Sequence, residues 1–268
     1  MNYTEAREYL NNVSASGIIL GLDSIRALME ELDNPQDDLR IVHIAGTNGK
    51  GSILSYTKNI LMDAGYRVGC YSSPSVFGYL ERFQIDGEWM TESEFPELVQ
   101  KVKDAADRMT AKGLNHPTVF ELETAIAFEY FKERNCDYVM LETGMGGDLD
   151  STNVIDPPEC AVITALGMDH VKELGPTLAD IASAKAGIIK PGSPVVSYGG
   201  VPEADAVIAR TAAERHAPLT VVDLSRLTIE DGDLDAVTFD FDGLNGIRLP
   251  LIGSYQPRNA ATAITALR

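Results

Sequence analysis

The sequence predicts an α/β protein: a three-layer domain with a mostly parallel sheet flanked by helices, plus a small antiparallel β meander near the C-terminus. Three observations support this prediction. Short apolar runs alternate with helical patterns over most of the chain, which is typical of parallel sheets. The run at residues 41–45 leads into a glycine-rich turn and then a helical pattern, as in a phosphate-binding loop. After residue 227 the pattern changes to short alternating segments.

The predicted elements follow this alternation along the chain. An N-terminal helical segment covers residues 1–40. Strands are expected at residues 41–45, 68–71, 138–142, 161–164, 194–197 and 219–222. Helices are expected at residues 52–64, 94–112, 120–133, 177–187 and 203–216, with Pro176 and Pro191 flanking the fourth.

The C-terminal part of the chain is expected to hold the meander and one more helix. Turn signals at residues 231–233 and at Asp242-Gly243 separate the alternating segments, so the meander is placed within residues 224–252. Residues 259–268 then begin a helix. A chain of 268 residues can form one large domain with a well-buried core, whereas two full enzyme domains would be tight.

Composition excludes several classes of protein. A net charge of −18 argues against nucleic acid as a partner, because phosphates would be repelled. No apolar run reaches the ~20 residues that span a bilayer, and residues 1–5 do not resemble a signal peptide. We therefore expect a cytoplasmic protein without a membrane partner. Cys70, Cys136 and Cys160 are widely spaced and lack metal-type spacing, which predicts reduced, mostly buried thiols.

The glycine-rich turn predicts a nucleotide-phosphate site. It reads Gly46-Thr47-Asn48-Gly49-Lys50-Gly51-Ser52. Its glycines allow the backbone N–H groups to approach phosphate oxygens, Lys50 supplies a positive charge, and Ser52 offers a hydroxyl to Mg²⁺. The usual P-loop pattern fails twice, because Ile44 replaces its first glycine and Gly51 stands where the hydroxyl should follow the lysine. The alternative, a glycine-rich hairpin turn, would not need the lysine.

A carboxylate ends the predicted strand at residues 138–142. Ligands of open α/β sheets lie beyond the carboxyl ends of strands, so Glu142 is expected to face the glycine-rich turn, where a hard oxygen ligand suits Mg²⁺. Taken alone, such a glutamate is more often a cap or an ion-pair partner. Together with the phosphate-binding turn, the metal-binding interpretation is favoured.

Two further residues have open interpretations on the residue pattern alone. His170 follows the predicted strand at 161–164, and a neutral imidazole can bind a divalent cation, although a lone histidine is usually structural. Lys185 lies among small residues on a predicted helix. Such a lysine could be desolvated and react with CO₂ or pair with phosphate, but an exposed lysine is slightly favoured.

Four ordered segments resemble the folylpolyglutamate and dihydrofolate synthases of the Mur ligase superfamily. They are T-N-G-K-G-S at 47–52, L-E-T-G-M-G-G-D-L-D-S-T-N at 141–153, L-G-M-D-H at 166–170, and L-G-P-T-L-A-D-I-A-S-A-K-A-G-I-I-K-P-G at 174–192. Residues 17–23 and 251–256 also fit the flanks of that family. The combination of ordered segments is far more specific than any one of them and covers most of the chain.

The resemblance implies a set of site residues. It implies that residues 47–52 bind ATP, with Lys50 and Ser52 at the phosphates and Mg²⁺, and that Asn259 meets the adenine. The implied metal ligands are Ser52, Ser73, Glu142, His170 and a carbamylated Lys185. The implied catalytic residues are Lys50, His170 and Lys185.

The sequence also departs from the family pattern. Ser75 stands where the family usually has histidine, and Asp148 where it usually has arginine, which leaves the contacts to the pterin or the glutamyl group open. The family also carries a second, Rossmann-like domain after the helix that starts at Asn259, and we expect that domain to be absent from residues 1–268. Association with such a missing domain is a further expectation.

The implied activity is ATP-dependent amide formation. A carboxylate of folate or dihydropteroate would attack the γ-phosphate, and the amine of L-glutamate would then displace phosphate from the acyl phosphate. Electrostatic stabilisation by Lys50 and Mg²⁺ would offset the repulsion between the two anions. The alternatives are another Mur-type amino-acid ligase, an ATP-binding half-enzyme without transfer activity, and, least favoured, a kinase or simple NTPase.

Overall fold

An eight-stranded sheet forms the centre of the computed structural model, which describes residues 1–14, 21–232 and 235–268. Its strands are β1 (Ile41–Ala45), β2 (Val68–Tyr71), β3 (Phe83–Ile85), β4 (Glu88–Trp89), β5 (Tyr138–Glu142), β6 (Cys160–Ile163), β7 (Val195–Ser197) and β8 (Leu219–Val221). The strand order is β4-β3-β2-β5-β1-β6-β7-β8. The pairs from β2 to β8 are parallel, while β3 and β4 add an antiparallel edge.

Nine α-helices lie in the described part of the chain. They are α1 (Tyr3–Ser14), α2 (Asp23–Glu31), α3 (Lys50–Asp63), α4 (Phe95–Ala111), α5 (Val119–Glu133), α6 (Val171–Leu174), α7 (Leu178–Ala186), α8 (Pro202–Glu214) and α9 (Gln256–Ala266). Short 3₁₀ turns cover Pro35–Asp38, Tyr79–Arg82, Ser151–Val154 and Leu224–Arg226. None of the helices in these ranges is both long and apolar enough to cross a membrane.

Alternating residues of the central strands divide the core into two layers. On β5, Val139 and Leu141 pack with the core of α1, α2, α4 and α5, whereas Met140 packs with that of α3, α9 and the meander. This alternation follows from the two-residue period of a strand. The predicted three-layer α/β fold with a mostly parallel sheet is therefore confirmed.

The smaller sheet is the meander predicted near the C-terminus. Strands β9 (Leu227–Gly232), β10 (Val237–Phe241) and β11 (Leu244–Leu249) pair antiparallel in the order β11-β10-β9. Phe239 and Phe241 are buried in the same core as α3 and α9. The meander thus supports the layer that holds the helix following the glycine-rich turn.

Sequence and structure differ in several details. The β3–β4 hairpin was not predicted, because strands of three and two residues are too short to show a pattern. Helix α3 begins at Lys50, two residues before the expected start, and α9 begins at Gln256, three residues early. Of the motif at residues 17–23, positions 17–20 lie outside the described residues, as does Asp233 of the first turn signal. All three cysteines are free, and Cys70 and Cys160 are buried.

Candidate active site at the carboxyl ends of β1 and β5

The glycine-rich turn joins the end of β1 to the start of α3, at the carboxyl edge of the sheet. Gly49 has φ = 88°, in the left-handed region that glycine adopts without steric cost. A Cβ on Gly49 would lie 2.8 Å from Oδ1 of Asn259, and one on Gly46 would lie 1.7 Å from Oγ1 of Thr164. These close approaches explain both glycines. They also bring Asn259, 210 positions later in the chain, against the turn.

Hydrogen bonds fix the turn to the segment that follows β6. The backbone N–H groups of Thr47 and Asn48 both donate to the carbonyl of Ala165, at 3.1 and 3.0 Å. The Thr164 hydroxyl donates to the carbonyl of Asn48 at 2.8 Å, and the Thr47 hydroxyl donates to the carbonyl of Gly167 at 3.1 Å. In this structure Thr47 and Asn48 therefore hold the shape of the turn, and their N–H groups are already engaged.

The first turn of α3 offers the donors that remain. The first intrahelical bond runs from the Ile53 N–H to the carbonyl of Gly49, so the N–H groups of Lys50, Gly51 and Ser52 have no acceptor within the helix. A Cβ on Gly51 would meet nothing within 4 Å, which means that open space faces this turn. The positive end of the helix dipole and these N–H groups suit a phosphate.

Two lysines and a glutamate converge beside this turn. The ammonium groups of Lys50 and Lys185 both donate to the carbonyl of Gly46, at 3.2 and 2.8 Å. Nζ of Lys50 lies 3.8 Å from Oε1 of Glu142, and Glu142 is only 6% exposed. The three charged groups, which we call the nucleotide-edge charges, lie at the carboxyl ends of β1 and β5, which we call the nucleotide edge. Glu142 and Lys185 are buried, Lys50 is partly buried with 19% of its side chain exposed, and only one loose ion pair joins them.

Burial shifts the pKa values of two of these groups towards neutrality. It raises the pKa of Glu142 to about 7, although Lys50 and the Ser73 N–H act in the opposite direction. It lowers the pKa of Lys185 to about 8, and the positive charge of Lys50 lowers it further. Lys185 is 3% exposed, so the exposed lysine favoured by the residue pattern alone is wrong. The pattern failed there because the turn around Gly46, not α7 itself, buries the lysine.

A buried polar network supports the site from within the sheet. Asp150 accepts hydrogen bonds from the Met145 N–H at 2.8 Å and from the Thr152 hydroxyl at 2.5 Å. That hydroxyl also bonds to Nε2 of His43 at 2.9 Å, on the central strand β1. Burial lowers the pKa of His43 to about 3, so the imidazole is neutral. The network ties the L-D-S-T-N segment to the strand that carries the glycine-rich turn, a link that sequence reasoning missed.

A cavity of about 490 Å³ is lined in part by Gly144 and Met145, which follow Glu142 in the chain, and not by residues of the glycine-rich turn. Its wall includes two predicted metal ligands, Ser73 and His170, together with Asp150. His170 begins α6 with φ = 46°, is exposed, and lies 3.6 Å from a carboxylate oxygen of Asp169. Asp148 is not part of the described wall; its N–H donates to the carbonyl of Ala184 at 2.8 Å, packing its segment on α7.

One wall of the cavity carries a cluster of four side chains that the sequence analysis missed. Oη of Tyr79 donates to Glu123 at 2.7 Å, and the Arg82 guanidinium forms an ion pair with the same carboxylate. The guanidinium of Arg7, on α1, lies 3.1 Å from the centre of the Tyr79 ring. We call these four residues the Tyr79 cluster. The local sequence gives little signal for it, because Glu123 lies between Leu122 and Thr124 with a second glutamate, Glu121, close by.

The donor chemistry is suited to ATP phosphates and Mg²⁺ at the nucleotide edge. The buried carboxylate of Glu142 is a hard oxygen donor whose ion pair with Lys50 is loose, at 3.8 Å, and the hydroxyl of Thr143 has no partner among the described residues. The described residues hold no group of three or more His, Cys, Asp and Glu side chains able to bind a metal. A metal here would therefore need ligands of other kinds, such as hydroxyl groups, beside the Glu142 carboxylate.

Comparisons with known proteins place this geometry in a family. The model of the Mur ligase middle domain matches residues 44–267. The chain is 38% identical over 271 residues to dihydrofolate synthase/folylpolyglutamate synthase of Bacillus subtilis, covering 98% of this chain and 63% of that protein. An FPGS–AMPPCP complex superimposes with a TM-score of 0.91 at 36% identity, covering 99% of this chain and 66% of the other. An FPGS–AMPPCP–folate complex gives 0.90, with the same identity and the same coverage.

These matches each cover most of this chain and point to the same family. The chain spans about two thirds of the length of the relatives that it matches. The family match begins on β1 and includes the glycine-rich turn, Glu142, Lys185 and Asn259. The chain therefore belongs to the Mur ligase family, through its middle domain.

Proposed function

We propose that this chain is the nucleotide-binding part of an ATP-dependent ligase that joins L-glutamate to folate, to dihydropteroate, or to both. The observation that carries the proposal is the convergence of the nucleotide-edge charges beside the first turn of α3, with Glu142 and Lys185 buried and Lys50 partly buried. Buried charges with only a loose ion pair are costly, and a bound triphosphate with its cation would pair them. The relatives named for dihydrofolate and folylpolyglutamate synthesis support the substrate class.

In this proposal Lys50 and the first-turn N–H groups of α3 bind the β- and γ-phosphates. Asn259, held by Gln256 at 3.2 Å and adjacent to Gly49, contacts the adenine. The proposed Mg²⁺ ligands are Ser52, Ser73, Glu142, His170 and Lys185. When bound, the cation supplies positive charge that offsets the repulsion between the triphosphate and the attacking carboxylate.

We propose that Lys185 is carbamylated. Its buried position favours the neutral amine, whose nitrogen forms a bond to the carbon of CO₂ and releases one proton. The carbamate replaces a cation beside Lys50 with an anion, which removes a like-charge contact. Carbon-13 NMR with labelled bicarbonate should show a carbamate signal that Lys185→Ala abolishes. Lys190→Ala, at another lysine whose pKa burial lowers, should retain it.

The proposed reaction has two steps. A carboxylate oxygen of the pteroyl substrate attacks the γ-phosphorus, the bond between that phosphorus and the bridging oxygen of ADP breaks, and ADP leaves as an acyl phosphate forms. The amine of glutamate then attacks the acyl carbon, an amide bond forms, and phosphate leaves with the oxygen that came from the carboxylate. Lys50 stabilises the charge that develops on the phosphoryl group in the first step.

An isotope experiment tests this reaction. The chain is incubated with Mg-ATP, L-glutamate and dihydropteroate or tetrahydrofolate whose carboxylates carry ¹⁸O, and the products are measured by mass spectrometry. The proposal predicts a glutamylated product, ADP, and phosphate with one ¹⁸O atom. Unlabelled phosphate formed without glutamate would instead favour simple ATP hydrolysis.

A second candidate is a half-enzyme that binds ATP but does not transfer glutamate. It is kept as an alternative because the chain covers 63% of the length of the Bacillus subtilis relative. We propose that the complete ligase includes a second, Rossmann-like domain after α9, and that residues 1–268 form the ATP-binding domain, with the helical segment 1–40 and the meander 224–252 as its parts. ATP binding without product would support the half-enzyme. The cytoplasmic location stays a prediction.

A further inference from the structure

Two guanidinium groups line the cavity at the Tyr79 cluster. Arg7 and Arg82 lie over the same tyrosine ring, at 3.1 and 5.0 Å from its centre. Glu123 is the one carboxylate in the cluster, so the cluster carries a net positive charge in a chain whose net charge is −18. A local positive charge in such a chain favours an anionic ligand at this wall.

Arg82 has unused donor capacity. Its Nη1 pairs with one oxygen of Glu123, while Tyr79 donates to the other oxygen. Its Nε is buried and has no hydrogen-bond partner among the described residues. A buried N–H without an acceptor costs free energy, and an Arg fork is suited to a carboxylate. The Arg82 side chain as a whole is 19% exposed and lines the cavity, so a carboxylate bound there would pair with the accessible part of its guanidinium.

Arg7 is held in place mainly by packing. Its guanidinium stacks on the Tyr79 ring, and its one recorded hydrogen bond is a long one of 3.5 Å to Asn11 on the same helix. Stacking leaves the N–H groups at the edge of the guanidinium plane free to donate. Arg7 therefore adds oriented donors to the wall that already contains Arg82.

This wall lies close to the nucleotide edge. The carbonyl of Arg82 accepts a hydrogen bond from the Ser72 N–H at 3.2 Å, and the next residue, Ser73, lines the same cavity as Arg82 and as Gly144, two positions after Glu142. A ligand in the cavity can thus contact both the Tyr79 cluster and the segments next to the nucleotide edge.

We propose that Arg7 and Arg82 form a subsite for the second carboxylate of a glutamylated pteroyl substrate. The inference rests on the proposed function and deepens it by selecting the substrate class. A pteroate has a single carboxylate, which must react at the phosphate. A pteroylglutamate has two, so the α-carboxylate of its glutamate stays free to bind the arginines while the γ-carboxylate reacts. The subsite therefore favours folylpolyglutamate synthesis over dihydrofolate synthesis.

Calorimetric titration of the 268-residue chain with folate and with pteroate, in the presence of Mg–AMPPCP, tests the subsite. The wild type should bind folate at least about tenfold more tightly than pteroate, since charge-assisted hydrogen bonds are among the strong ones. Arg7→Gln should lose about tenfold in folate affinity and keep its pteroate affinity within about twofold. Arg40→Gln is the matched control, because Arg40 stacks over Tyr138 at 4.3 Å outside the cavity wall.

Arg82 needs a paired substitution, because a single one would leave Glu123 buried without its partner. The double variant Arg82→Gln/Glu123→Gln removes both charges, and a thermal melt checks its folding. It should show the same selective loss of folate affinity as Arg7→Gln.

Equal affinities of the wild type for folate and pteroate would contradict the subsite, as would an equal loss of affinity for both ligands in Arg7→Gln. Failure of folate to bind while Mg–AMPPCP still binds would also contradict it, with nucleotide binding intact. Failure of Mg–AMPPCP itself to bind would instead contradict the proposed function, so the two failures are distinguishable.

Discussion

Charged side chains are paired differently at the nucleotide edge and in the outer helix layer formed by α2, α4 and α5. In the helix layer, Lys101 contacts Glu129 at 2.6 Å and Glu133 at 2.9 Å, and Glu31 pairs with two cations of α4 and its end. These partners raise the pKa of Lys101. At the nucleotide edge, burial raises the pKa of Glu142 and lowers that of Lys185. One region stabilises its charged forms, and the other leaves them for a ligand to stabilise.

This contrast separates structural charges from functional ones. Close ion pairs at the surface contribute modestly to stability, and each charged group in them already has an oppositely charged partner. Buried, loosely paired charges cost stability, and such costs are typical of binding and catalytic sites. Equivalent substitutions in the two regions test this difference.

The largest effect is expected for Lys50→Met. Without the ammonium group, the first turn of α3 loses its one positive side chain at the phosphates, and Mg–AMPPCP affinity should fall by about 100-fold or more, as for a buried charged partner. Calorimetric titration measures it. The matched variant Lys101→Met should bind Mg–AMPPCP like the wild type, and equal losses in the two variants would erase the distinction between the regions.

An effect of similar size, but on stability, is expected for Glu142→Gln, and it depends on pH. Because the folded-state pKa of Glu142 is raised to about 7, its contribution is fully present below the unfolded value of 4.5 and is lost as the pH rises through 7. Glutamine does not titrate, so the variant does not lose stability in this way as the pH rises. Urea unfolding should therefore show the variant gaining about 3 kcal/mol relative to the wild type between acidic pH and pH 8, an order-of-magnitude figure.

Glu31→Gln provides the opposite sign. Its two cationic partners lower the pKa of Glu31, so its contribution is present above the unfolded value and is lost only as the pH falls below it. Between pH 5 and pH 8 its difference from the wild type should stay constant. A Glu142→Gln profile parallel to that of the wild type would contradict the burial of a destabilised carboxylate.

The smallest effect is expected for the stability of Lys101→Met. The substitution leaves Glu129, which is 3% exposed, without its close cation, but Lys101 is itself 45% exposed and solvent screens the pair. Unfolding free energy should fall by about 1 kcal/mol. A loss several times larger in urea unfolding would mean that the helix layer depends on this pair for its fold.

Much of the nucleotide edge could be predicted because its signals are local. An apolar run, a glycine-rich turn and a strand-ending glutamate lie within short segments, and parallel strands bring their carboxyl ends together by geometry alone. The sheet order β2-β5-β1-β6 then places Glu142 beside Lys50. The burial of Lys185 was missed because it depends on a contact with Gly46, 139 positions away.

The Tyr79 cluster shows the limit of local patterns. It unites α1, a 3₁₀ turn and α5, so Arg82 and Glu123 meet across 41 positions. The spacing of these residues in the sequence does not predict the contact. The β3–β4 hairpin that directly follows Arg82 was not predicted either, because its strands have only three and two residues.

The most direct test of the account is titration of the wild-type chain with AMPPCP, with and without Mg²⁺. Buried, loosely paired charges at the ends of β1 and β5 predict binding that requires Mg²⁺ and that releases protons near pH 7, as the cation displaces the proton from Glu142. Titrations in buffers of different ionisation enthalpy measure that release. Absence of binding, or binding of equal strength without Mg²⁺, would contradict the account.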